Sequence, residues 1–134
     1  MLAPLVLVVD DFEDSREMYA EYLSFAGYRV EQASDGAEAV ERVCELHPDL
    51  VVMDLALPAL DGCEATRAIK DNPETRDVKV LVVTGHTLPS HLKRAREAGA
   101  DEVLTKPLLP VELVAAVERL LESDGIARSA DDAG

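Results

Sequence analysis

Short runs of consecutive aliphatic residues alternate along the chain with segments whose apolar residues recur at helical spacing. The runs at 5–9, 50–53 and 78–83, the last of which contains Lys79, are typical of strands that a parallel sheet buries on both faces. Residues 28–33 alternate between apolar and polar side chains, which indicates an edge strand, and residues 103–105 predict a short fifth strand. The pattern therefore predicts five strands, each followed by a helix.

Local start and stop signals give the expected helix boundaries. Asp14 with Glu17 is a capping pair that predicts a helix to about Ala26, and the same spacing recurs at Asp35 and Glu38. The other three helices are expected between Gly62 and Asn72, over residues 88–98, and across the apolar stripe at 113–121. Side chains expected to pack the first helix against the sheet include Tyr19, Tyr22 and Phe25.

Repeated strand–helix units predict one α/β domain, in which right-handed crossovers place helices on both faces of a parallel sheet. A length of 134 residues fits one domain, and 48% hydrophobic residues are enough for a core. We expect the domain to cover residues 1–121. Residues 122–134 are small and polar, which predicts a flexible acidic tail.

The chain is strongly acidic, with 27 Asp and Glu against 13 Lys and Arg and a net charge of −14. This balance argues against nucleic-acid binding and against docking to anionic membranes, since both depend on basic residues. The sequence contains no apolar run long enough to span a bilayer and no basic leader, so we expect a cytoplasmic protein. Cys44 and Cys63 form no metal-binding pattern and are expected to be buried, reduced thiols.

Polar residues follow four of the predicted strands: Asp10 and Asp11, Asp54, Thr84, and Lys106. Ligands of parallel α/β sheets bind at the carboxyl ends of the strands, so we expect these side chains to meet at one edge. Clustered carboxylates repel one another, and a hard cation such as Mg²⁺ relieves that repulsion. An aspartate beside a bound metal can accept a phosphoryl group, with a lysine and a hydroxyl holding its other oxygens.

These residues and their neighbours resemble the receiver domain of two-component response regulators over about residues 4–121. A single motif of this set carries little information, whereas the ordered set at strand ends is specific. The motifs in chain order are Asp10-Asp11, Met53-Asp54-Leu55, Leu57-Pro58, Asp61-Gly62, Thr84-Gly85, Gly99-Ala100-Asp101 and Lys106-Pro107. The resemblance implies a flavodoxin-like, doubly wound fold, with a five-stranded parallel sheet in the order 2-1-3-4-5 flanked by five helices.

The resemblance also implies the chemistry of the site. Asp54 would accept a phosphoryl group from a phosphohistidine of a sensor histidine kinase or a histidine phosphotransfer protein. Asp11, Asp54 and the backbone carbonyl of Ala56 would bind Mg²⁺ directly, and Asp10 would do so through water. These assignments make Mg²⁺ the expected cofactor.

Lys106 and Thr84 would contact the phosphoryl group in a protein of this family. The binding site of the phosphoryl group would be completed by the backbone amides of Leu55, Ala56 and Gly85. The Lys106–Pro107 peptide bond is typically cis in receivers, although most X–Pro bonds are trans.

The sequence departs from the family pattern at the fifth strand. Most receivers carry an aromatic residue there, which turns inward when the threonine moves, whereas this chain has Val103. Val103 at this position therefore affects the relay of the signal through Thr84. It does not affect the phosphorylation chemistry. The positions that tune dephosphorylation in this family are occupied by Ala56 and His86.

The resemblance implies a single-domain response regulator that switches a downstream protein or relays phosphate, without an enzymatic activity beyond its own phosphorylation and dephosphorylation. Its partner surface would be the fourth helix, fifth strand and fifth helix, and it would be a monomer or weak homodimer. One alternative is a Mg²⁺-dependent phosphatase with an aspartyl nucleophile. Those enzymes carry Asp-x-Asp on the first strand, whereas Asp10 and Asp11 are adjacent. A second alternative is a degenerate receiver that binds a protein constitutively.

Overall fold

The computed structural model describes residues 3–57, 60–85 and 87–133, with side chains described up to residue 122. Five strands and five helices alternate along these residues, as the hydrophobic pattern predicts. They are β1 (Leu5–Val9), α1 (Glu13–Phe25), β2 (Arg29–Ala33), α2 (Gly36–Leu46), β3 (Leu50–Met53), α3 (Gly62–Asp71), β4 (Lys79–Thr84), α4 (Pro89–Glu97), β5 (Glu102–Thr105) and α5 (Pro110–Ala133).

The five strands form one parallel sheet in the order β2-β1-β3-β4-β5, which confirms the expected topology. The last residues pair with each other in β1 and β3, as Val9 with Met53, and in β4 and β5, as Thr84 with Thr105, while β4 extends two residues beyond the end of β3. Residues that directly follow these strands therefore lie along one edge of the sheet. The edge position of β2 is also confirmed.

Two hydrophobic layers cover the sheet, because alternate side chains of each strand point to opposite faces. One layer joins strand residues such as Leu7 and Met53 to α2, α3 and α4. The other joins residues such as Val8 and Val52 to α1 and α5. Each fully buried aliphatic side chain contributes about 1.5–3 kcal/mol, so the paired layers provide the main stabilisation of the sheet.

Helix α1 begins at Glu13, one residue before the predicted cap at Asp14, so that prediction is wrong. Phe12 occupies the capping position and makes no side-chain capping bond. The preceding turn instead depends on Asp10, whose Oδ1 accepts a hydrogen bond from the Phe12 amide at 2.9 Å. Asp14 lies in the first turn, where its charge is favourable for the helix dipole.

The predicted cap of α2 is confirmed, since the Asp35 side chain accepts a hydrogen bond from the Glu38 amide at 2.7 Å. Helix α5 extends to Ala133, well beyond the expected end near Leu121. Residues 122–133 contain no proline to stop it. Because side chains beyond Glu122 lie outside the described residues, the boundary between domain and tail stays a prediction.

Only part of the aromatic group of α1 is buried. Tyr19 is 4% exposed, as expected, whereas Tyr22 and Phe25 are 47% and 90% exposed, so the expected packing is wrong for these two. The helix buries the face formed by Tyr19, Ala20 and Leu23. Tyr22 and Phe25 lie outside this face of the helix, where the described residues cover about half of Tyr22 and little of Phe25.

The two cysteines also differ from each other. Cys63 is buried in the core, as predicted, but Cys44 is exposed on α2, which contradicts the expected burial. Cys44 directly follows Val43, whose side chain takes the core-facing position of that turn. None of the described helices is both long and apolar enough to cross a membrane.

A half-buried lysine ties α3 to the sheet. Lys70 donates to the carbonyl oxygens of Arg76 and Val78 and to Asp101 Oδ2, at 3.2, 2.7 and 2.9 Å. The same Asp101 oxygen accepts from the amide of Val80 in β4 at 2.8 Å. Asp101 therefore has a structural role in joining α3, β4 and the start of β5.

Candidate functional site

Three aspartates converge at the carboxyl edge of the sheet. Asp10 and Asp11 follow β1 and Asp54 follows β3, and one carboxylate oxygen of each lies within 4.8 Å of the others. Asp10 and Asp54 are buried, at 2% and 8% exposure, while Asp11 is exposed. The structure thus brings together the carboxylates that the strand-end argument selects.

Lys106 reaches into this cluster from the end of β5. Its Nζ lies 3.2 Å from Asp54 Oδ2 and 3.4 Å from Asp10 Oδ2. The lysine backbone is held in place because its amide donates to the Thr84 carbonyl at 2.8 Å. The Lys106–Pro107 peptide bond is cis, as the resemblance implies.

Burial and neighbouring charges act in opposite directions on the pKa values of the cluster. Burial raises the pKa of Asp10, although hydrogen bonding from the Phe12 amide and the charge of Lys106 act in the opposite direction. Burial also acts to lower the pKa of Lys106, but the nearby charges of Asp54 and Asp10 outweigh it and raise that pKa. Lys106 therefore carries a positive charge at neutral pH, and one cation faces several carboxylates.

The loop after Asp54 folds back, so that the start of α3 contacts the backbone of Asp54 and Leu55. The amide of Ala56 donates to Asp54 Oδ1 at 3.1 Å, and the amide of Gly62 donates to the Leu55 carbonyl at 3.0 Å. A Cβ at Gly62 would lie 2.1 Å from the Asp54 carbonyl oxygen. Only glycine allows the first turn of α3 to approach the backbone of Asp54 this closely.

Thr84 and Gly85 end β4 at the same edge of the sheet. Thr84 is fully buried, and it pairs in register with Thr105, the residue before Lys106. Gly85 is exposed, and a Cβ built there meets nothing within 4 Å. Pro58 and His86, which the sequence analysis also singled out, lie outside the described residues.

Arg16 contributes to the site in a way that the motif search missed. Its Nη1 donates to the Asp10 backbone carbonyl at 3.0 Å, and its Nε donates to Gln32 Oε1 at 3.1 Å. Arg16 therefore links α1 and β2 to the turn that carries Asp10 and Asp11. The available signal was that Arg16 is the one basic residue in α1, which otherwise carries four acidic residues.

Tyr19 is a second neighbour that sequence reasoning assigned only to the core. Burial raises the pKa of its phenol, and the charges of Lys106, Asp10 and Asp54 all act on it. Tyr19 thus forms part of the apolar wall beneath the charged cluster. Such a wall lowers the local dielectric and strengthens the interactions between the charges above it.

The donor set fits a hard divalent cation. Carboxylate oxygens that converge on a small volume are the ligands that Mg²⁺ prefers, and the site has no nitrogen or sulfur ligand among the described residues. The half-buried ammonium of Lys106 beside the same carboxylates is suited to hold a phosphoryl oxygen. The arrangement therefore fits metal-assisted phosphoryl transfer to a carboxylate.

Comparison with known proteins agrees with this geometry. The family model described as "Response regulator receiver domain" matches residues 6–118. The chain belongs to this family. The receiver domain is 40% identical to the response regulator MprA of Mycolicibacterium vanbaalenii over 129 residues, 93% of this chain and 55% of that protein. It is also 40% identical to MprA of Mycobacterium leprae over 116 residues, 87% of this chain and half of that protein. This receiver thus spans about half the length of the curated relatives it matches.

Solved receiver structures have the same fold. The receiver domain of the sensor histidine kinase PA1611 from Pseudomonas aeruginosa is 30% identical, with a TM-score of 0.83 over 90% of this chain and 98% of that one. That structure holds a magnesium ion coordinated in its active-site cleft. The chemotaxis protein CheY4 of Vibrio cholerae is 31% identical, with a TM-score of 0.82 over 89% and 98% of the two chains. The flavodoxin-like fold expected from the sequence is thereby confirmed.

Proposed function

We propose that this receiver domain accepts a phosphoryl group on the Asp54 carboxylate from a phosphohistidine of a sensor histidine kinase or a histidine phosphotransfer protein. The observation that carries the proposal is that the carboxylates of Asp10 and Asp11 and the ammonium of Lys106 all lie close to the Asp54 carboxylate. In this step an Asp54 oxygen forms a bond to phosphorus while the phosphorus–nitrogen bond breaks. The leaving imidazole then takes up a proton.

The residues that would hold Mg²⁺ are Asp11, Asp54 and the backbone carbonyl of Ala56, with Asp10 acting through water. The buried position of Asp10 and the exposed position of Asp11 support this division, because the exposed carboxylate is the one free to close over an ion. When bound, Mg²⁺ neutralises charge on the carboxylates and on the transferred group. Its presence in the related PA1611 receiver supports the same cofactor here.

Lys106 and Thr84 would hold the phosphoryl oxygens. Lys106 Nζ already lies 3.2 Å from the accepting carboxylate, so the ammonium needs only a small movement to contact a phosphoryl oxygen. Thr84 lies at the end of the adjacent strand β4. The site would be completed by the backbone amides of Leu55, Ala56 and Gly85.

Phosphorylation would act as a switch by adding about two negative charges beside Lys106. Such a change shifts an existing conformational equilibrium only if the two states contact the phosphoryl group differently. We propose that the readout surface is formed by α4, β5 and α5, and that the domain is a cytoplasmic monomer or weak homodimer. Val103 is half-buried against the core at the centre of β5, so the signal would pass through a small side chain instead of a rotating ring.

Incubation with a small acyl phosphate and Mg²⁺, followed by intact-mass analysis, tests the proposal. Wild type should gain the mass of one phosphoryl group, and beryllofluoride should form a Mg²⁺-dependent complex. Asp54→Asn should do neither, while the matched control Asp71→Asn, at an exposed position on α3, should behave as wild type. An unlabelled wild-type protein would overturn the assignment and favour a constitutive binding module. Labelling that Asp54→Asn retains would also overturn it, because another residue would then be the acceptor.

A further inference from the structure

One arginine of α1 points at the acidic turn that follows β1. Arg16 Nη1 donates a hydrogen bond to the backbone carbonyl of Asp10 at 3.0 Å, in a partly buried contact, and its Nε donates to Gln32 Oε1 at 3.1 Å. The backbone amide of Arg16 donates to the Phe12 carbonyl, also at 3.0 Å. Side chain and backbone of the same residue therefore hold the turn that carries the first two aspartates of the site.

The Asp10 carbonyl is the atom through which Arg16 acts on Asp11. The peptide unit is planar, so the carbonyl oxygen of Asp10 and the amide nitrogen of Asp11 rotate together, and a hydrogen bond to that oxygen fixes the plane that leads into Asp11. Asp11 is exposed, so its backbone, and not packing around the side chain, determines where its carboxylate lies. Asp10 is held independently, because its amide donates to the Ala33 carbonyl at 3.2 Å and its Oδ1 accepts from the Phe12 amide.

Gln32 fixes the direction of the Arg16 side chain. It lies in β2, in register with Val8 of β1, and so belongs to the same pair of strands that the turn leaves. A planar guanidinium that donates from two of its nitrogens to two separate acceptors is restricted to one orientation, whereas an ammonium on a flexible stem is not. Arg16 thereby ties the acidic turn to the sheet and to α1 together.

We propose that Arg16 is a positioning residue for Mg²⁺, which holds Asp11 in the orientation that binds the ion. This inference rests on the proposed function, in which Asp11 is a direct ligand. It has the opposite sign to simple electrostatics, because a guanidinium repels a nearby divalent cation and the loss of its charge alone would tighten binding. Residues that orient metal ligands typically contribute about 10–100-fold to the affinity for the metal, so the loss of positioning should weaken binding.

Titration of the metal-free full chain with Mg²⁺ at fixed ionic strength, followed by the backbone amide NMR signals of the site, tests the inference. Arg16→Met removes the charge and both side-chain hydrogen bonds, and it should weaken Mg²⁺ binding at least about tenfold. Arg16→Lys keeps the charge but cannot reproduce the contact from two nitrogens, so it should also weaken binding.

Arg29→Met is the matched control. Arg29 Nε donates to the Ala3 carbonyl at 2.8 Å, so this substitution removes the same charge and the same kind of hydrogen bond. Arg29 is the first residue of β2, about 13 Å along that strand from Ala33 and at the opposite end of the sheet from the site. Mg²⁺ affinity in Arg29→Met should therefore equal that of wild type.

Gln32→Ala isolates positioning from charge, since it changes no charge. Gln32 is exposed, so the variant should fold even if Arg16→Met does not. It should weaken Mg²⁺ binding several-fold in the wild-type background and cause no further loss in Arg16→Met, because Gln32 acts only through Arg16.

Tighter or unchanged Mg²⁺ binding in Arg16→Met would overturn the inference, as would wild-type affinity in Arg16→Lys or Gln32→Ala. A loss in Arg29→Met as large as that in Arg16→Met would equally overturn it. Wild type that binds no Mg²⁺ would overturn it together with the proposed metal ligands. If wild type binds Mg²⁺ and is labelled at Asp54 while Arg16→Met keeps its affinity, this inference alone fails.

Discussion

One added methyl group at Gly62 should destabilise the domain through its contacts with the backbone of Asp54 and Leu55. The Cβ of Gly62→Ala would lie 2.1 Å from the Asp54 carbonyl oxygen and 2.7 Å from the Cα of Leu55. Both contacts are with backbone atoms, so no side-chain rotation relieves them. The first turn of α3 must therefore move away from the end of β3.

The expected magnitude follows from two opposing effects. Overpacking of a closed site costs about 1–3 kcal/mol, and two backbone clashes place Gly62→Ala at the upper end of that range. Replacement of glycine at the start of a helix by alanine offsets up to about 1 kcal/mol of this cost. We therefore expect a net loss of about 2 kcal/mol in the free energy of unfolding.

Urea unfolding followed by far-UV circular dichroism measures this loss. Gly85→Ala is the matched control for stability, because a Cβ at Gly85 meets nothing within 4 Å, and it should change the free energy of unfolding by less than about 1 kcal/mol. Gly62→Ala should also weaken formation of the beryllofluoride complex, since it displaces Asp54. Stability equal to wild type in Gly62→Ala would refute the argument that close approach requires glycine here.

Three further predictions concern charged groups, each checked by urea unfolding. Asp61→Ala should cost about 1–2 kcal/mol at neutral pH, because it removes the cap of α3 and the partner of Arg94. Although burial acts to raise the pKa of Asp61, its hydrogen bonds and Arg94 lower it overall, so this cost should be full above the ordinary carboxyl range and disappear as the pH falls through the lowered pKa. Burial raises the pKa of Asp10, so Asp10→Asn should stabilise the metal-free protein at neutral pH, by about 1.4 kcal/mol for each unit by which that pKa is raised. This gain in the free energy of unfolding should disappear as the pH falls toward 3.8, the ordinary pKa of an aspartate. A variant less stable than wild type at neutral pH would contradict the prediction. Lys70→Met should lose about 2–3 kcal/mol with its three hydrogen bonds, and an unchanged midpoint would show that they contribute nothing.

The site was predictable because its residues all occupy equivalent places in the repeated unit. Asp10, Asp54 and Lys106 each directly follow a strand, and Thr84 ends one. Parallel strands in register bring such positions to one edge regardless of their separation in the chain. Neither the distances between these residues nor the closeness of Gly62 to Asp54 follows from that argument, because they depend on how tightly the connecting loops return.

Residues that act through single long-range contacts were not predictable in the same way. Arg16 belongs to no strand end, and one of its partners directly follows β1 while the other lies in β2, so helical spacing gives no indication of them. The predicted burial of Tyr22 and Phe25 was wrong for another reason. Aromatic residues on a helix are usually buried, and only the position of the buried face, set by Tyr19 and Leu23, shows that these two point outward.

The charge balance of the site explains what a bound divalent cation and a phosphoryl group would each do there. The three carboxylates and the ammonium of Lys106 have a formal net charge of −2, which one divalent cation would neutralise. A phosphoryl group on Asp54 would bring back about two negative charges in the same small volume. Lys106 would then be attracted both to the new group and to Asp10. Because Lys106 directly follows the last residue of β5, a movement of the lysine would displace the end of that strand. Lys106→Met should therefore leave beryllofluoride able to bind with Mg²⁺ while reducing the accompanying NMR shifts in β5, and undiminished shifts there would exclude Lys106 as the link.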